Sequence, residues 1–227
     1  MNDEKVFSET KEIMLPKPKG IIFDLDGTIV DEPEFYSSVY SQSLIDFVRE
    51  REGEKGVETL LNRVKIDGKG ELTLESMGIP YSAWAERLIN APLDLILPQP
   101  DIVSLFQNIS AKKVIYTGSP LTLAYRLLDR IGFNPKRDFD LIIGWNESET
   151  FPLKWTNSSF VFESIAALLN CEPEKLWSVG DDWKADLAPA AKLGMTTVQI
   201  RKTDGQSNAQ FPAIRDLLSV AQEKGIL

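Results

Sequence analysis

Short apolar runs that alternate with helical patterns constrain this chain more than any other feature. Five such runs contain only four or five residues each and are rich in β-branched or aromatic side chains, which is typical of buried parallel strands. They lie at 20–23, 113–116, 139–143, 176–179 and 196–200. The alternation predicts an α/β fold with a Rossmann-like, doubly wound parallel sheet as its core.

Helical patterns separate the later strands. Apolar residues recur at helical spacing over 120–131, 158–169 and 186–193. Gly132 and Gly194 follow the first and third of these stretches, at positions where glycine commonly ends a helix. We therefore expect helices on both faces of the sheet.

The stretch between the first two strands breaks this rhythm. No clear strand pattern occurs from 32 to 97, and the sequence predicts helices at 34–51, 56–65, 71–77 and 81–90. We interpret 32–97 as a helical cap inserted into a core formed by 18–31 and 98–227, with 1–17 as an N-terminal extension. An insertion at this point should close over the end of the first strand, hinged near 31–33 and 97–98.

Two residue types limit the available chemistry. The chain has no histidine, so histidine bases, serine–histidine dyads and histidine metal sites are excluded. Its single cysteine, Cys171, cannot form an intrachain disulfide and is expected to act as a small apolar side chain. A general acid or base must therefore be a carboxylate, lysine, tyrosine or cysteine.

The charge balance bears on partners and location. The formal net charge is −9, which disfavours nucleic acid as a partner but leaves room for a small phosphorylated metabolite beside a metal ion. The N-terminus lacks the apolar stretch of a secretory signal, and no apolar run is long enough to span a membrane. We expect a soluble, cytoplasmic protein without a membrane partner; the sequence leaves its oligomeric state open.

The first chemical motif follows the first strand directly. Asp24-Leu25-Asp26-Gly27-Thr28 places two carboxylates on one side of an extended segment, and Gly27 then lets the chain turn. Open α/β sheets bind ligands at this end of their strands. An Asp-Gly turn that simply ends a strand is the structural alternative.

Three further groups lie after strands or at the start of helices. Thr117-Gly118-Ser119 follows the second strand and offers a hydroxyl and backbone amides, although simple helix capping explains it as well. Lys154 lies just before a helix that Thr156 or Asn157 would cap. Gly180-Asp181-Asp182 follows the fourth strand, with Asp186 nearby, and so many carboxylates favour a hard divalent cation such as Mg²⁺.

Together, in this order, the four groups resemble the motifs of the haloacid dehalogenase superfamily. Asp24 to Thr28 is similar to its first motif, Thr117 to the second, Lys154 to the third, and Gly180 to Asp182 with Asp186 to the fourth. The resemblance extends from about residue 18 to 203. It implies a magnesium-dependent phosphatase that acts on a small phosphate monoester through an aspartyl-phosphate.

The resemblance also implies a role for each motif residue. Asp24 would be the nucleophile and Asp26 the general acid and base. Mg²⁺ would be bound by Asp24, by the Asp26 carbonyl and by Asp181. The remaining motif residues would bind phosphate (Thr117, Gly118, Lys154) or orient the metal, water or Lys154 (Asp182, Asp186). Dehalogenases of this superfamily lack an aspartate at the position of Asp26, so its presence favours phosphate chemistry.

Two residues depart from the family pattern. Trp155 follows Lys154 where many members have proline, and Gly118 stands where many have asparagine, which removes a side chain that would face the substrate. The segment from Leu74 to Pro80, with Leu97 and Pro98, loosely resembles the pyrimidine 5′-nucleotidase branch. Phosphoglycolate-type and sugar-phosphate phosphatases stay open as alternatives.

Other functions are compatible with the same core. A phosphomutase would use the same aspartates while excluding water, and a silent binding module would keep the fold without turnover, although the motif residues are all present here. In the cap, Arg49, Arg51, Lys65 and Lys69 are candidates for a second phosphate site. We interpret them instead as part of a solvated helix face.

Overall fold

A computed structural model describes residues 15–146, 154, 158–203 and 205–227. The expected features of the N-terminal extension before residue 15, the neighbour Trp155 and the caps Thr156 and Asn157 lie outside the described residues.

The chain alternates strands and helices as the sequence predicts. The strands are β1 (Gly20–Phe23), β2 (Lys112–Pro120), β3 (Leu141–Trp145), β4 (Leu176–Gly180), β5 (Thr196–Ile200) and β6 (Ala209–Phe211). The α-helices are α1 (Pro33–Phe35), α2 (Gln42–Asp67), α3 (Gly70–Ser76), α4 (Tyr81–Ile89), α5 (Pro100–Gln107), α6 (Leu121–Ile131), α7 (Pro135–Asp138), α8 (Phe160–Leu168), α9 (Ala188–Ala191) and α10 (Ile214–Glu223). Two π-helical segments (Tyr36–Ser41, Trp183–Leu187) and a 3₁₀ turn (Pro173–Lys175) complete the pattern.

The six strands form one parallel sheet in the order β3-β2-β1-β4-β5-β6. This order reverses direction beside β1, which pairs with β2 on one side and β4 on the other. The prediction of a Rossmann-like, doubly wound sheet is therefore confirmed. Ligands bind such sheets at the carboxyl ends of the strands next to this reversal.

Helices cover both faces of the sheet because successive strand residues point to opposite sides. In β1, Ile21 and Phe23 join a large apolar cluster with α5, α6 and α10, whereas Ile22 joins a second cluster with α8 and α9. All three side chains are almost fully buried. The two apolar layers fix the direction of β1, and with it the position at which Asp24 leaves the sheet.

Several predicted boundaries shift in the structure. The third strand runs from Leu141 rather than 139, because Phe139 packs with Phe106 and Phe133 before the chain enters the sheet. The second strand continues to Pro120, so α6 begins one residue later than predicted. The 186–193 helix is a π-helical segment followed by the short α9. Gly132 and Gly194 have left-handed backbone conformations beyond these helices.

The region between β1 and β2 is helical, as expected of a cap. The predicted break appears at Gly53, which has φ 69° and ψ −170° inside α2. The first predicted helix of this region, 34–51, contains the π-helical segment from Tyr36 to Ser41, which the sequence did not predict. The exact limits 32–97 and the two hinges stay predictions.

Within the described residues, no helix is both long enough and apolar enough to cross a membrane.

Candidate active site

Except for Thr117, the predicted site residues line one cavity of about 790 Å³ at the carboxyl ends of β1, β2 and β4. Core loops form its floor, and the helices between β1 and β2 form its wall. Its lining includes Asp24, Asp26, Gly118, Lys154 and the aspartates after β4. This volume is in the range of small-molecule sites.

Asp24 lies at the end of β1 and is only 6 % exposed. Its backbone N–H donates to the Val179 carbonyl at 2.9 Å, which extends the pairing of β1 with β4 by one residue. Thr28 Oγ1 donates to Asp24 Oδ2 at 2.7 Å. These contacts hold the carboxylate at the cavity floor.

A tight turn follows Asp24. The N–H groups of Thr28, Ile29 and Val30 all point to the Leu25 carbonyl, and Gly27 N–H donates to the Val30 carbonyl at 2.8 Å. Gly27 has φ +85°, and a β-carbon there would lie 3.1 Å from Asp181 Oδ2. Glycine is thus needed for the turn and for the close approach of the β4 loop.

Asp26 is held from two sides. Thr117 Oγ1 donates to Asp26 Oδ2 at 2.6 Å, and Tyr36 OH donates to Asp26 Oδ1 at 3.1 Å. Thr117 belongs to β2, whereas Tyr36 belongs to the helical wall. The predicted phosphate-binding hydroxyl of Thr117 is thus engaged with Asp26 in this structure.

Lys154 lies at the centre of the site and is 8 % exposed. Its Nζ contacts Asp24 Oδ1, Asp186 Oδ1 at 2.8 Å and the Tyr116 carbonyl at 2.7 Å. Burial lowers the pKa of Lys154, but the charges of Asp186 and Asp24 more than offset this and hold the pKa above its usual range. The lysine is therefore a fixed cation beside Asp24.

The loop after β4 carries three aspartates in different environments. Asp186 is buried beside Lys154, and its Oδ2 accepts the Asp182 N–H at 2.9 Å. A β-carbon on Gly180 would lie 2.4 Å from Asp186 Oδ2, so only glycine permits this packing. Asp182 Oδ1 caps the following π-helical segment, and Asp181 Oδ2 pairs with Lys202 Nζ at 2.7 Å.

One side-chain oxygen from each of Asp24, Asp181 and Asp186 lies within 4.8 Å of the others. Burial and then the charge of Asp186 raise the pKa of Asp24 well above its usual range, and the same two causes raise that of Asp181. Three crowded carboxylate oxygens of this kind are the donors that Mg²⁺ prefers, and a bound cation would relieve their repulsion. The residues present therefore fit the implied metal.

Asp186 belongs to this cluster, although the sequence predicted only a supporting position for it. The side chain of Asp26 lies outside the cluster, and its expected contribution to the metal, the backbone carbonyl, stays a prediction. Gly118 lines the cavity, and its carbonyl accepts a hydrogen bond from Tyr81 OH at 3.2 Å.

The interpretation of the cap cations as a solvated face is wrong for Lys69. Arg49 pairs with Asp46 and Glu54 on the exposed surface, as expected. Lys69 instead lines the cavity and pairs with Asp182 Oδ2 at 2.6 Å. This ion pair joins the helical wall to the core, because Lys69 immediately precedes α3.

Sequence reasoning missed Tyr36, Glu71 and Lys202. Lys202 follows β5 at the carboxyl edge of the sheet, and this position alone could have marked it as a site residue. Tyr36 and Glu71 lie on cap helices whose orientation depends on tertiary packing. No local pattern marks either residue.

We expect Tyr36→Phe to lower kcat about tenfold for alkyl phosphate esters, since a lost hydrogen bond to a charged group costs about 1.5–3 kcal/mol. The loss should be smaller for p-nitrophenyl phosphate, whose leaving group departs as a stable anion and needs less help from an acid. Steady-state kinetics with both esters tests this. A matched control is Tyr40→Phe, because that hydroxyl contacts Ser119 at 3.2 Å rather than a carboxylate. Equal losses with both esters would contradict a role through Asp26.

Comparison with known proteins shows which family and which proteins this chain is similar to. A family model described as haloacid dehalogenase-like hydrolase matches residues 18–194. A curated relative, the glyceraldehyde 3-phosphate phosphatase of Methanocaldococcus jannaschii, is 26 % identical over 200 residues, which are 81 % of this chain and 85 % of that protein.

Solved structures share the fold. A HAD phosphatase from Thermococcus onnurineus superposes with a TM-score of 0.59 at 19 % identity, over 89 % of this chain and 97 % of that one. A β-phosphoglucomutase from Clostridium difficile gives the same TM-score at 18 % identity, over 91 % and 96 %. An L-2-haloacid dehalogenase from Xanthobacter autotrophicus gives 0.54 at 14 % identity, over 90 % and 98 %. At these identities the likeness shows the fold alone.

Proposed function

The chain belongs to the haloacid dehalogenase-like hydrolases, and from this premise we propose that it is a magnesium-dependent phosphatase that hydrolyses a small phosphate monoester through an aspartyl-phosphate on Asp24. One observation carries the proposal. Asp24, Asp26, Lys154 and Asp181 come from three separate stretches of the chain and line one cavity at the carboxyl end of the sheet. The curated phosphatase relative supports the same reaction class.

The proposed first step is an attack of the Asp24 carboxylate on phosphorus. The bond from phosphorus to the ester oxygen breaks, and Asp26 gives its proton to the departing alkoxide. In the second step water attacks phosphorus, Asp26 takes the proton, and the bond to Asp24 breaks to release inorganic phosphate. No histidine is required, because Mg²⁺ bound beside Lys154 would favour the ionised form of the Asp24 carboxylate near neutral pH.

Positive charge comes from two sources in this proposal. Lys154 is the fixed cation, held against Asp24 and Asp186. Mg²⁺, bound by Asp24, Asp181 and the Asp26 carbonyl with Asp186 adjacent, would supply charge that offsets the phosphoryl oxygens. Thr117 and the backbone amides near Leu25 and Gly118 are proposed to hold those oxygens, with Thr117 released from Asp26 when it does so.

Asp26 separates this reaction from dehalogenation. A halide leaves without a proton, whereas an alkoxide needs one, and Asp26 lies in the cavity with hydrogen bonds that fix its orientation. The likeness to a phosphoglucomutase is one of fold, so it does not favour transfer over hydrolysis.

The test is release of inorganic phosphate from a panel of phosphorylated metabolites that includes glyceraldehyde 3-phosphate. We expect turnover with Mg²⁺ and none in excess chelator, with a higher Tm when Mg²⁺ is added because the ion binds only the folded chain. Asp140→Asn is a suitable control variant, since this carboxylate pairs with Lys112 at the opposite end of the sheet. Undiminished turnover in chelator would refute the magnesium requirement, and isomerised product without phosphate would indicate a mutase.

A further inference from the structure

The cations that line the cavity are all paired with aspartates. Four cations line it, and each has an aspartate partner: Lys154 with Asp24 and Asp186, Lys69 with Asp182, Lys202 with Asp181, and Arg201 with Asp31. Within the described residues, every cation of the cavity is therefore paired, and Lys154 and Lys202 share their aspartate partners with the proposed metal site.

Within the described residues, the helical wall contributes one cation to the lining of the cavity. Lys69 comes from the helical wall, and its pair with Asp182 Oδ2 is 2.6 Å long. Asp182 also accepts the N–H groups of Lys184 and Ala185, at 2.8 and 3.1 Å. Releasing Lys69 to a substrate anion would leave a half-buried carboxylate without its cation, which is costly.

Glu71 is the exception among the charged groups of the wall. It lies two residues after Lys69, in the first turn of α3, and lines the same cavity as Asp24 and Asp26. Within the described part of the chain, no other residue donates a hydrogen bond to its carboxylate. The wall thus presents a carboxylate whose oxygens can accept hydrogen bonds from a ligand.

Glu71 lines the cavity and interacts electrostatically with the polar groups around it. Burial raises the pKa of Tyr81 well above its usual range, and the charge of Glu71 adds to this effect. Burial likewise raises the pKa of Glu71, to which nearby Asp26 contributes while Lys69 opposes it. The remaining lining of the wall is neutral and includes three aromatic residues, several aliphatic ones and two serines: Tyr36, Tyr40, Trp84, Leu44, Ile45, Leu60, Leu61, Val64, Ser37 and Ser41.

We propose that Glu71 selects phosphate monoesters whose leaving group is neutral or cationic and carries a hydrogen-bond donor, and rejects those with a second anionic group. The inference rests on the proposed phosphatase function and names the substrate class of that site. A hydroxyl or ammonium of the leaving group would donate to the Glu71 carboxylate. A carboxylate or second phosphate there would face the like charge of Glu71, while the neighbouring Lys69 is held by Asp182. Placing like charges side by side is strongly unfavourable.

Three two-carbon esters of matched size test this proposal. They are 2-hydroxyethyl phosphate (neutral leaving group), phosphoethanolamine (cationic) and phosphoglycolate (anionic). Each is measured as a substrate and as a competitive inhibitor of p-nitrophenyl phosphate hydrolysis, so that poor substrates still yield an affinity. For the natural enzyme we expect kcat/KM, or the reciprocal inhibition constant, to be at least about tenfold lower for phosphoglycolate than for the other two.

The variant Glu71→Lys should reverse the order of kcat/KM among the esters. The value for phosphoglycolate should rise about tenfold, and that for phosphoethanolamine should fall about tenfold. Glu71→Gln should remove the discrimination against phosphoglycolate and leave kcat/KM for 2-hydroxyethyl phosphate unchanged. Glu75→Lys is the matched control, because Glu75 lies on the same helix but is exposed and outside the cavity. It introduces the same charge change and should leave the order unaltered.

Two results would overturn the inference. One is a kcat/KM for phosphoglycolate that equals or exceeds that for the neutral ester with the natural enzyme. The other is an unchanged order of kcat/KM among the three esters in Glu71→Lys. These are distinct from failure of the proposed function. If p-nitrophenyl phosphate and all three esters release no phosphate with Mg²⁺ present, the phosphatase proposal itself is wrong. If p-nitrophenyl phosphate is hydrolysed and substitution of Glu71 does not change the order of kcat/KM among the esters, only the substrate inference is wrong.

Discussion

Replacing Asp24 with asparagine should lower turnover by at least about three powers of ten, since losing a covalent nucleophile removes the whole reaction path. Asparagine keeps the shape of the side chain, and its amide oxygen can still accept from Thr28 Oγ1. Phosphate release from p-nitrophenyl phosphate measures the loss. Residual activity within about tenfold of the natural enzyme would contradict the covalent mechanism.

The same variant should be more stable than the natural protein in chelator. Burial raises the pKa of Asp24 in the folded state above its unfolded value, so the fold favours the protonated carboxyl. The stability from this group is present at low pH and is lost as pH rises through the raised pKa. Asparagine carries no charge, so its Tm advantage should grow with pH across that range. A lower Tm at every pH would contradict this.

The second large effect is expected for Lys154→Met. Methionine fills similar space but leaves the buried carboxylates of Asp24 and Asp186 without their shared cation. Removing one partner of a buried ion pair costs about 3–5 kcal/mol, so the free energy of unfolding should fall by about that amount and the Tm by roughly 10 °C. Turnover should also fall by about two powers of ten or more, because Lys154 is the fixed cation at the phosphoryl site.

A double-mutant cycle separates this electrostatic cost from lost packing. In the Asp24→Asn background, Asp186 is the carboxylate that remains paired with residue 154. Lys154→Met should therefore lower the free energy of unfolding clearly less there than in the natural chain. Denaturant unfolding of the four proteins in chelator gives the coupling free energy. Equal costs in both backgrounds would show that Lys154 does not stabilise Asp24.

The sequence was sufficient to predict the sheet and the residues at its edge. Short apolar runs and the polar residues that follow them are local features, and β1, β4 and β5 lie within one residue of their predicted positions. The reversal of strand order beside β1 then places Asp24 and Asp181 next to each other. The three-residue strand β6 was missed because its single alternation, Ala209-Gln210-Phe211, is too short to distinguish from a loop.

The wall of the site was less predictable because it depends on how helices pack. The sequence marks Tyr36, Lys69 and Glu71 only as polar residues of a helical region. Which side chains of this region face the cavity depends on how it packs against the core. Lys69 was interpreted as solvated for this reason. A π-helical segment is rare and often accompanies a functional site, and here it contains both Tyr36 and Tyr40.

The central claim is the covalent bond between Asp24 and phosphorus. The direct measurement is an acid quench of the enzyme during turnover of a ³²P-labelled ester, followed by isolation of the peptide that contains Asp24. The account predicts protein-bound label on that peptide, released by hydroxylamine as expected of an acyl phosphate, and none in Asp24→Asn. Turnover by the natural enzyme with no label on Asp24, under a quench fast enough to catch half of the first turnover, would contradict it.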